Sequence, residues 1–202
     1  MKILKDDKYQ FILQAARAEF ISKGFKNSSM RNVARNADVG LSNIYNYFKN
    51  KDEIFSVIVM PAKKDLFRFI TRQHTEEGVD FNSMSALGHS EDAIEEYIDL
   101  IYKYKEEYRL LLYQSEGSSF SNFRDSLTDH MTQISYTYME LIKKYHPNAN
   151  EVSCFFFHTL ASWMTSILGE IVTHDLSRKK IRIFFDEYFR YGTAGWRELI
   201  GI

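Results

Sequence analysis

Cysteine, proline and glycine are scarce in this 202-residue sequence, which holds one cysteine, two prolines and nine glycines. The single cysteine, Cys154, excludes an internal disulfide and fits a reducing, cytoplasmic setting. Only Pro61 and Pro147 interrupt the chain by proline, and no run of strict apolar alternation marks a strand. A phosphate-binding glycine loop, a G-x-S-x-G elbow and an HExxH or CxxC pattern are all missing. No enzymatic activity and no cofactor are therefore expected. The six histidines show no H-x-x-x-H spacing, so no metal site is expected either. No apolar stretch reaches the roughly 20 residues that a membrane-crossing helix needs. The opening MKILKDDKYQ has charges where a signal peptide would have its apolar segment. The expectation is a soluble, cytoplasmic protein with no membrane partner.

Net charge is also low, at −1, but it is unevenly spread. Up to Lys51 there are ten Lys and Arg against four Asp and Glu, and beyond it sixteen against twenty-three. A basic first quarter on an acidic remainder suits a nucleic-acid-reading segment attached to one that does not read nucleic acid. Chance clustering of solvated charge explains the numbers equally well, so the motifs must decide.

What is present is helical periodicity. A first helix is predicted from about Lys8 to Lys23, with Phe11 or Ile12, Ala15, Ala16, Phe20 and Ile21 in an inward stripe and Gly24 as its stop. Asn27, Ser28 and Ser29 offer caps for a short second helix burying Met30, Val33, Ala34 and Ala37. Asp38, Val39 and Gly40 break the chain before a third helix, from Leu41 to Phe48, that turns Ile44 and Phe48 inward. Asn50 and Glu53 resemble a capping box opening a fourth helix toward Thr71 or beyond. Pro61 lies inside it and predicts either a kink or two shorter helices. Three short helices with tight breaks are the makings of a helix-turn-helix, which holds one helix so that it can lie in the DNA major groove.

The stretch from Phe11 to Phe55 resembles the DNA-binding domain of the tetracycline-repressor (TetR) family. The similarity lies in the AA pair and closing GF of the first helix, the S-x-R-x-V-A of the second, the A-D-V-G turn, the I-Y-x-Y-F of the third and the K-x-K-D-E-I-F entry to the fourth. It implies an all-α protein with a helix-turn-helix domain at residues 1–52 and a helical ligand-binding and dimerisation domain at 53–202. By position it implies phosphate contacts from Ser29, Arg31 and Lys51, base reading from Leu41, Ser42 and Asn43, and backbone contacts from Tyr45 and Tyr47, with Asn46 between them. Asn43 suits direct readout, since its amide can pair with adenine. Gly40, Leu41 and Ser42 depart from the usual pattern, so no operator sequence transfers. Arg35 reads as a solvated charge.

Beyond residue 75, Glu76 to His89 reads as a loop. Five further helices are predicted: from Glu91, capped by Ser90, to about Tyr104; Glu107 to Gln114; Asn122 to Tyr145; Glu151 to about His174; and Arg178 to Leu199. The last two are apolar beyond one stripe, with Phe155, Phe156, Trp163, Phe184, Phe185 and Phe189 among the excess. The resemblance makes that surface a homodimer interface, with Phe185 and Phe189 as outward members; a thick monomer core is the plain alternative. The resemblance further implies a cavity for an unknown small-molecule effector, for which Tyr97, Tyr102, Phe123, His130, Met131, Tyr138, His158 and Trp163 are candidates, with His130 and His158 as polar determinants. The implied function is a repressor of a palindromic double-stranded operator. A helical enzyme and a protein-binding adaptor are the rival classes.

Overall fold

The computed structural model describes residues 5–74, 91–174 and 176–201. Among these residues every regular element is an α-helix. In chain order they are α1 (Lys5–Asn27), α2 (Met30–Asn36), α3 (Leu41–Ile44), α4 (Lys51–Gln73), α5 (Glu91–Lys103), α6 (Lys105–Tyr113), α7 (Phe123–Tyr145), α8 (Cys154–Thr173) and α9 (Arg178–Ile200). The predicted loop at Glu76–His89 and the Ser90 cap lie outside the described residues.

Local chemistry explains most boundaries. Gly24 interrupts α1 with φ +71, a conformation side chains rarely adopt. The same turn brings the Phe25 amide to the Gln114 carbonyl at 2.8 Å. Ser29 caps α2, Ser153 caps α8 and Ser177 caps α9, each accepting the amide three residues on. Asn50 Oδ1 accepts from the Glu53 amide at 2.8 Å, as the capping pattern predicted. Pro61 sits within one uninterrupted α4, so the reading as two shorter helices does not hold. The third helix is shorter than predicted. Beyond Ile44 the chain continues as a turn, in which the Tyr47 and Phe48 amides both bond to the Ile44 carbonyl.

The chain forms two compact units that no single cut separates: Met1–Lys63 with Glu106–Phe123, and Lys64–Lys105 with Arg124–Ile202. In the first, Phe20, Phe25, Phe55 and Phe120 make a chain of aromatic contacts. Phe55 lies edge-on to Phe20 at 5.2 Å and meets Phe25 at 5.1 Å. Ile12, Ala15, Ala16, Val33, Ala34, Ile44 and Phe48 complete this core, whereas Phe11 is exposed, which settles the choice left open for the first stripe. An ion pair from Arg17 to buried Glu107 at 2.6 Å explains why α6 joins this unit across ninety residues of sequence.

In the second unit α8 is 20 residues long and apolar enough by composition to cross a membrane, contrary to the expectation that no segment reaches that length. Its buried side, including Phe157, Ala161, Leu168 and Val172, faces protein, as in a core helix. One cluster gathers Tyr138, Met139, Ile142, Phe157, Trp196 and Ile200.

Candidate functional site

The α2–α3 corner is built from both ends. Val33 and Ala34 anchor α2, and Ile44 with Phe48 anchors the turn after α3. Asp38, at φ +51, makes the bend between them, and the Val39 amide returns to the Ala34 carbonyl at 3.0 Å. This leaves Ser42, Asn43, Tyr45 and Asn46 exposed, with Tyr45 half accessible, and Leu41 partly covered. Asn46 Nδ2 and Asn43 Oδ1 are 3.5 Å apart, so two amide side chains share one edge. Tyr47 instead packs its ring at 6.1 Å from Tyr9.

Ser29 Oγ accepts from the Asn32 amide, which leaves its own proton to donate elsewhere. Arg31 is exposed on the following turn. Arg35 is exposed and bonds to Asn32 Oδ1 at 3.2 Å, in keeping with a solvated charge. Lys51 has a different setting from the one its position implied. Its ammonium donates to the carbonyls of Phe25 at 2.6 Å, Ser28 at 3.3 Å and Lys26 at 3.5 Å, above the Phe25 ring. Burial lowers its pKa from the ordinary lysine value. The charge caps the end of α1, where helix carbonyls lack intrahelical partners.

Sequence reasoning missed Glu19. It is 7% exposed and accepts from the Ser29 amide at 3.0 Å and from Asn32 Nδ2 at 3.1 Å. The signal was present, because the inward stripe of Ile12, Ala15, Ala16 and Phe20 also contains position 19. A carboxylate at the start of α2 is favoured by the partial positive charge there.

The second unit contains a cavity of about 50 Å³ among α4, α5, α7, α8 and α9. Leu66, Phe69 and Ile70 line it from α4, Leu127 and Met131 from α7, and Met164, Ile167 and Leu168 from α8. Of the eight predicted residues, Tyr97 and Met131 line it. The other six lie elsewhere. Phe123 is buried in the first unit. Tyr138 belongs to the Trp196 cluster, and Trp163 lines a groove along α8 and α9. Tyr102 donates to the Leu176 carbonyl at 2.8 Å, and His158 is exposed. His130 stacks on Phe67 at 4.4 Å and lies 3.3 Å from Thr71 Oγ1.

The polar groups at the cavity are therefore not the predicted histidines. They are His74, Tyr97, Tyr188 and Thr165. His74 Nδ1 lies 2.8 Å from the Ile70 carbonyl, which can only accept, so Nδ1 carries the proton and Nε2 is left as an acceptor. Burial lowers its pKa, helped by nearby His130, and favours the neutral ring. Tyr97 stacks on Phe69 at 5.1 Å and meets Phe185 at 5.4 Å. Burial and the nearby Tyr188 push its pKa well up, and burial does the same to Tyr188. Thr165 is already paired with Thr128 at 3.1 Å.

Along α8 and α9 runs an open apolar groove of about 620 Å³, walled by Phe156, Leu160, Trp163, Tyr191 and Leu199 over Gly192 and Gly195. Phe155 is 75% exposed. Phe185, expected to face outward, is 3% exposed because Tyr97, Phe184 and Phe189 enclose it.

A family model described as bacterial regulatory proteins of the tetR family matches residues 12–58. The chain is 40% identical over 60 residues to the HTH-type transcriptional regulator YhgD of Bacillus subtilis (strain 168). That match covers 30% of this chain and 31% of the relative, so the aligned part spans about a third of the relative's length. The fold resembles a TetR-like transcriptional regulator from Rhodococcus sp. RHA1, with TM-score 0.63, 16% identity and 100% of both chains covered. It also resembles MexZ of Pseudomonas aeruginosa, with TM-score 0.54, 16% identity, and 93% and 94% covered. The exposed α2–α3 edge lies within the matched residues. Residues 12–58 thus match the tetR family of bacterial regulatory proteins, and the helix-turn-helix of the chain lies in that N-terminal segment.

Proposed function

We propose that the protein is a transcriptional repressor which binds a palindromic operator as a homodimer and is released from it by a small molecule. The observation that carries this reading is the exposed edge of Ser42, Asn43, Tyr45 and Asn46 within a basic segment that matches the family. Residues 1–52 are the DNA-binding part and 53–202 the regulatory part. Ser29 and Arg31 position the protein on phosphates, Tyr45 and Tyr47 meet the backbone, and Asn43 reads a base beside Leu41, Ser42 and Asn46. Lys51 acts chiefly by holding the end of α1, and reaches phosphate only by giving up carbonyl partners. MexZ is described as a key repressor responsible for antibiotic resistance, which supports repression as the sense of control.

The groove of α8 and α9 supports the dimer, since a contiguous apolar face of this kind marks an interaction site and twofold pairing is the commonest oligomer. The effector cavity is the one walled by His74, Tyr97 and Tyr188. A twofold dimer presents two recognition helices roughly 34–36 Å apart, one turn of DNA. An effector shifts the protein between states only by its difference in affinity for them. The protein acts on double-stranded operator DNA in the cytoplasm.

Selection of bound fragments from random DNA tests the reading. A palindrome is the expected result, with affinity falling steeply as salt rises. No enrichment would reject it. For the assembly, Trp163→Glu is expected to give monomers with operator binding reduced to background. A monodisperse wild-type monomer by light scattering at micromolar concentration would reject the dimer.

A further inference from the structure

The second-unit cavity says something about what it admits, and this inference rests on reading the chain as an effector-released regulator. None of its lining residues is Lys, Arg, Asp or Glu. A charged ligand would lose its hydration there without meeting an opposite charge, which is strongly unfavourable. An aromatic wall can hold a cation, but no carboxylate joins this one.

The polar groups are neutral, and apart from Thr165, which is paired with Thr128, they keep hydrogen-bonding capacity to spare. The Tyr97 and Tyr188 hydroxyls have no hydrogen bond among the described residues. Among the described residues the fully buried side-chain polar atom left unpaired is Trp196 Nε1, outside this cavity. Both tyrosine hydroxyls therefore keep some accessible surface, and Tyr188 also borders the α8–α9 groove. A tyrosine hydroxyl that is neither paired nor enclosed is positioned to bond an incoming molecule. With Nδ1 engaged by Ile70, His74 has only an acceptor left to offer. Together these groups supply one acceptor and two hydroxyls that can donate, which matches a ligand hydroxyl that both donates and accepts.

Size narrows the class. About 50 Å³ is well below the roughly 150 Å³ cavity known to admit benzene. Met131 and Met164 line the space, and unbranched thioethers adapt to new shapes more readily than branched side chains. A compact ring is within reach of such repacking.

We propose that the cavity binds a compact, uncharged aromatic alcohol of the phenol class, its ring among Phe69, Phe185 and Met164 and its hydroxyl taken up by the polar groups of the same lining, His74, Tyr97 and Tyr188.

The test is isothermal titration of the full chain, at neutral pH, with four probes of one ring size: p-cresol, toluene, benzoate and benzylammonium. p-Cresol is expected to bind at least about tenfold more tightly than either charged probe. It should exceed toluene by about threefold to tenfold through its hydroxyl. Tyr97→Phe and, separately, Tyr188→Phe should shrink the p-cresol advantage over toluene while leaving toluene binding nearly unchanged. Equal or tighter binding of benzoate or benzylammonium, no binding of p-cresol, or an advantage untouched by both tyrosine variants would overturn the proposal. Operator release by p-cresol is measured separately on DNA from the random selection. A selected operator with no p-cresol binding rejects this inference and leaves the regulator standing. The expected probe order in a protein that selects no DNA does the reverse.

Discussion

The two units use the same kinds of contact but differ in which of them surround the candidate sites. In the first, directional polar contacts join distant parts of the chain: Arg17 to Glu107, Glu19 to the start of α2, and Lys51 to the end of α1. In the second, ion pairs such as Arg178 to Asp99 and Arg182 to Glu95 also join distant parts. There, however, stacked and tilted aromatics surround a cavity at which the Tyr97 and Tyr188 hydroxyls have no hydrogen bond among the described residues. Hydrogen bonds and ion pairs fix angles, as a surface that matches a rigid groove requires. Apolar packing is less directional and tolerates repacking at similar volume, which suits the effector cavity proposed above. The contrast is between holding one geometry and permitting several.

The largest expected effect breaks the first unit's core. Phe55 is fully buried at the centre of four phenylalanines, and Phe55→Ala should cost about 3–5 kcal/mol by chemical denaturation. Phe189→Ala, at a half-buried position beside an existing cavity, should cost clearly less. Equal losses would erase the distinction.

Next comes Lys51→Ala. It leaves the Phe25 and Ser28 carbonyls without their charged donor, and is expected to cost about 1–3 kcal/mol of stability. DNA affinity should fall alongside and similarly across operator sequences. A loss of affinity with unchanged stability would return Lys51 to a plain phosphate contact.

Asn43→Ala touches no core and should leave stability alone. It is expected to cost about 1–3 kcal/mol of binding, concentrated at one base pair. A uniform loss over all positions, measured on a panel of single-base operator variants, would move Asn43 from reading to positioning.

The smallest effect concerns acid and belongs to the second unit. The pKa of His74 is lower folded than unfolded, so the unfolded chain takes up the proton first. That contribution to stability is complete above the ordinary histidine value of about 6.5 and is lost as pH falls through it toward the folded value. His74→Gln should flatten the decline in thermal stability below that pH. An unchanged slope would assign it to other groups.

Much of the helix-turn-helix was legible because its determinants are local. Ser29 as a cap, Gly24 as a stop and the Asn50–Glu53 pair each act within one or two turns of chain. Even there, the end of α3 was placed late, since Phe48 is buried as its period suggests while the backbone has already left the helix. Glu19 was passed over because a carboxylate rarely belongs on an inward stripe, and its partners lie in the next helix.

By itself, then, the sequence determined the helical class, most of the helix ends and the likeness of the N-terminal segment to the tetR family. Tertiary structure alone decided which aromatics wall the cavity, which fill the core and which face outward. Periodicity tells a helix which side to bury, but not what will meet it there. Tyr97 and Tyr138 look alike in sequence, yet one borders a cavity among five helices and the other belongs to the cluster around Trp196. His74 faces that cavity while His130, expected there, stacks on Phe67 instead. Such outcomes depend on contacts between residues tens of positions apart, whose pairing is set when helices pack rather than when they form.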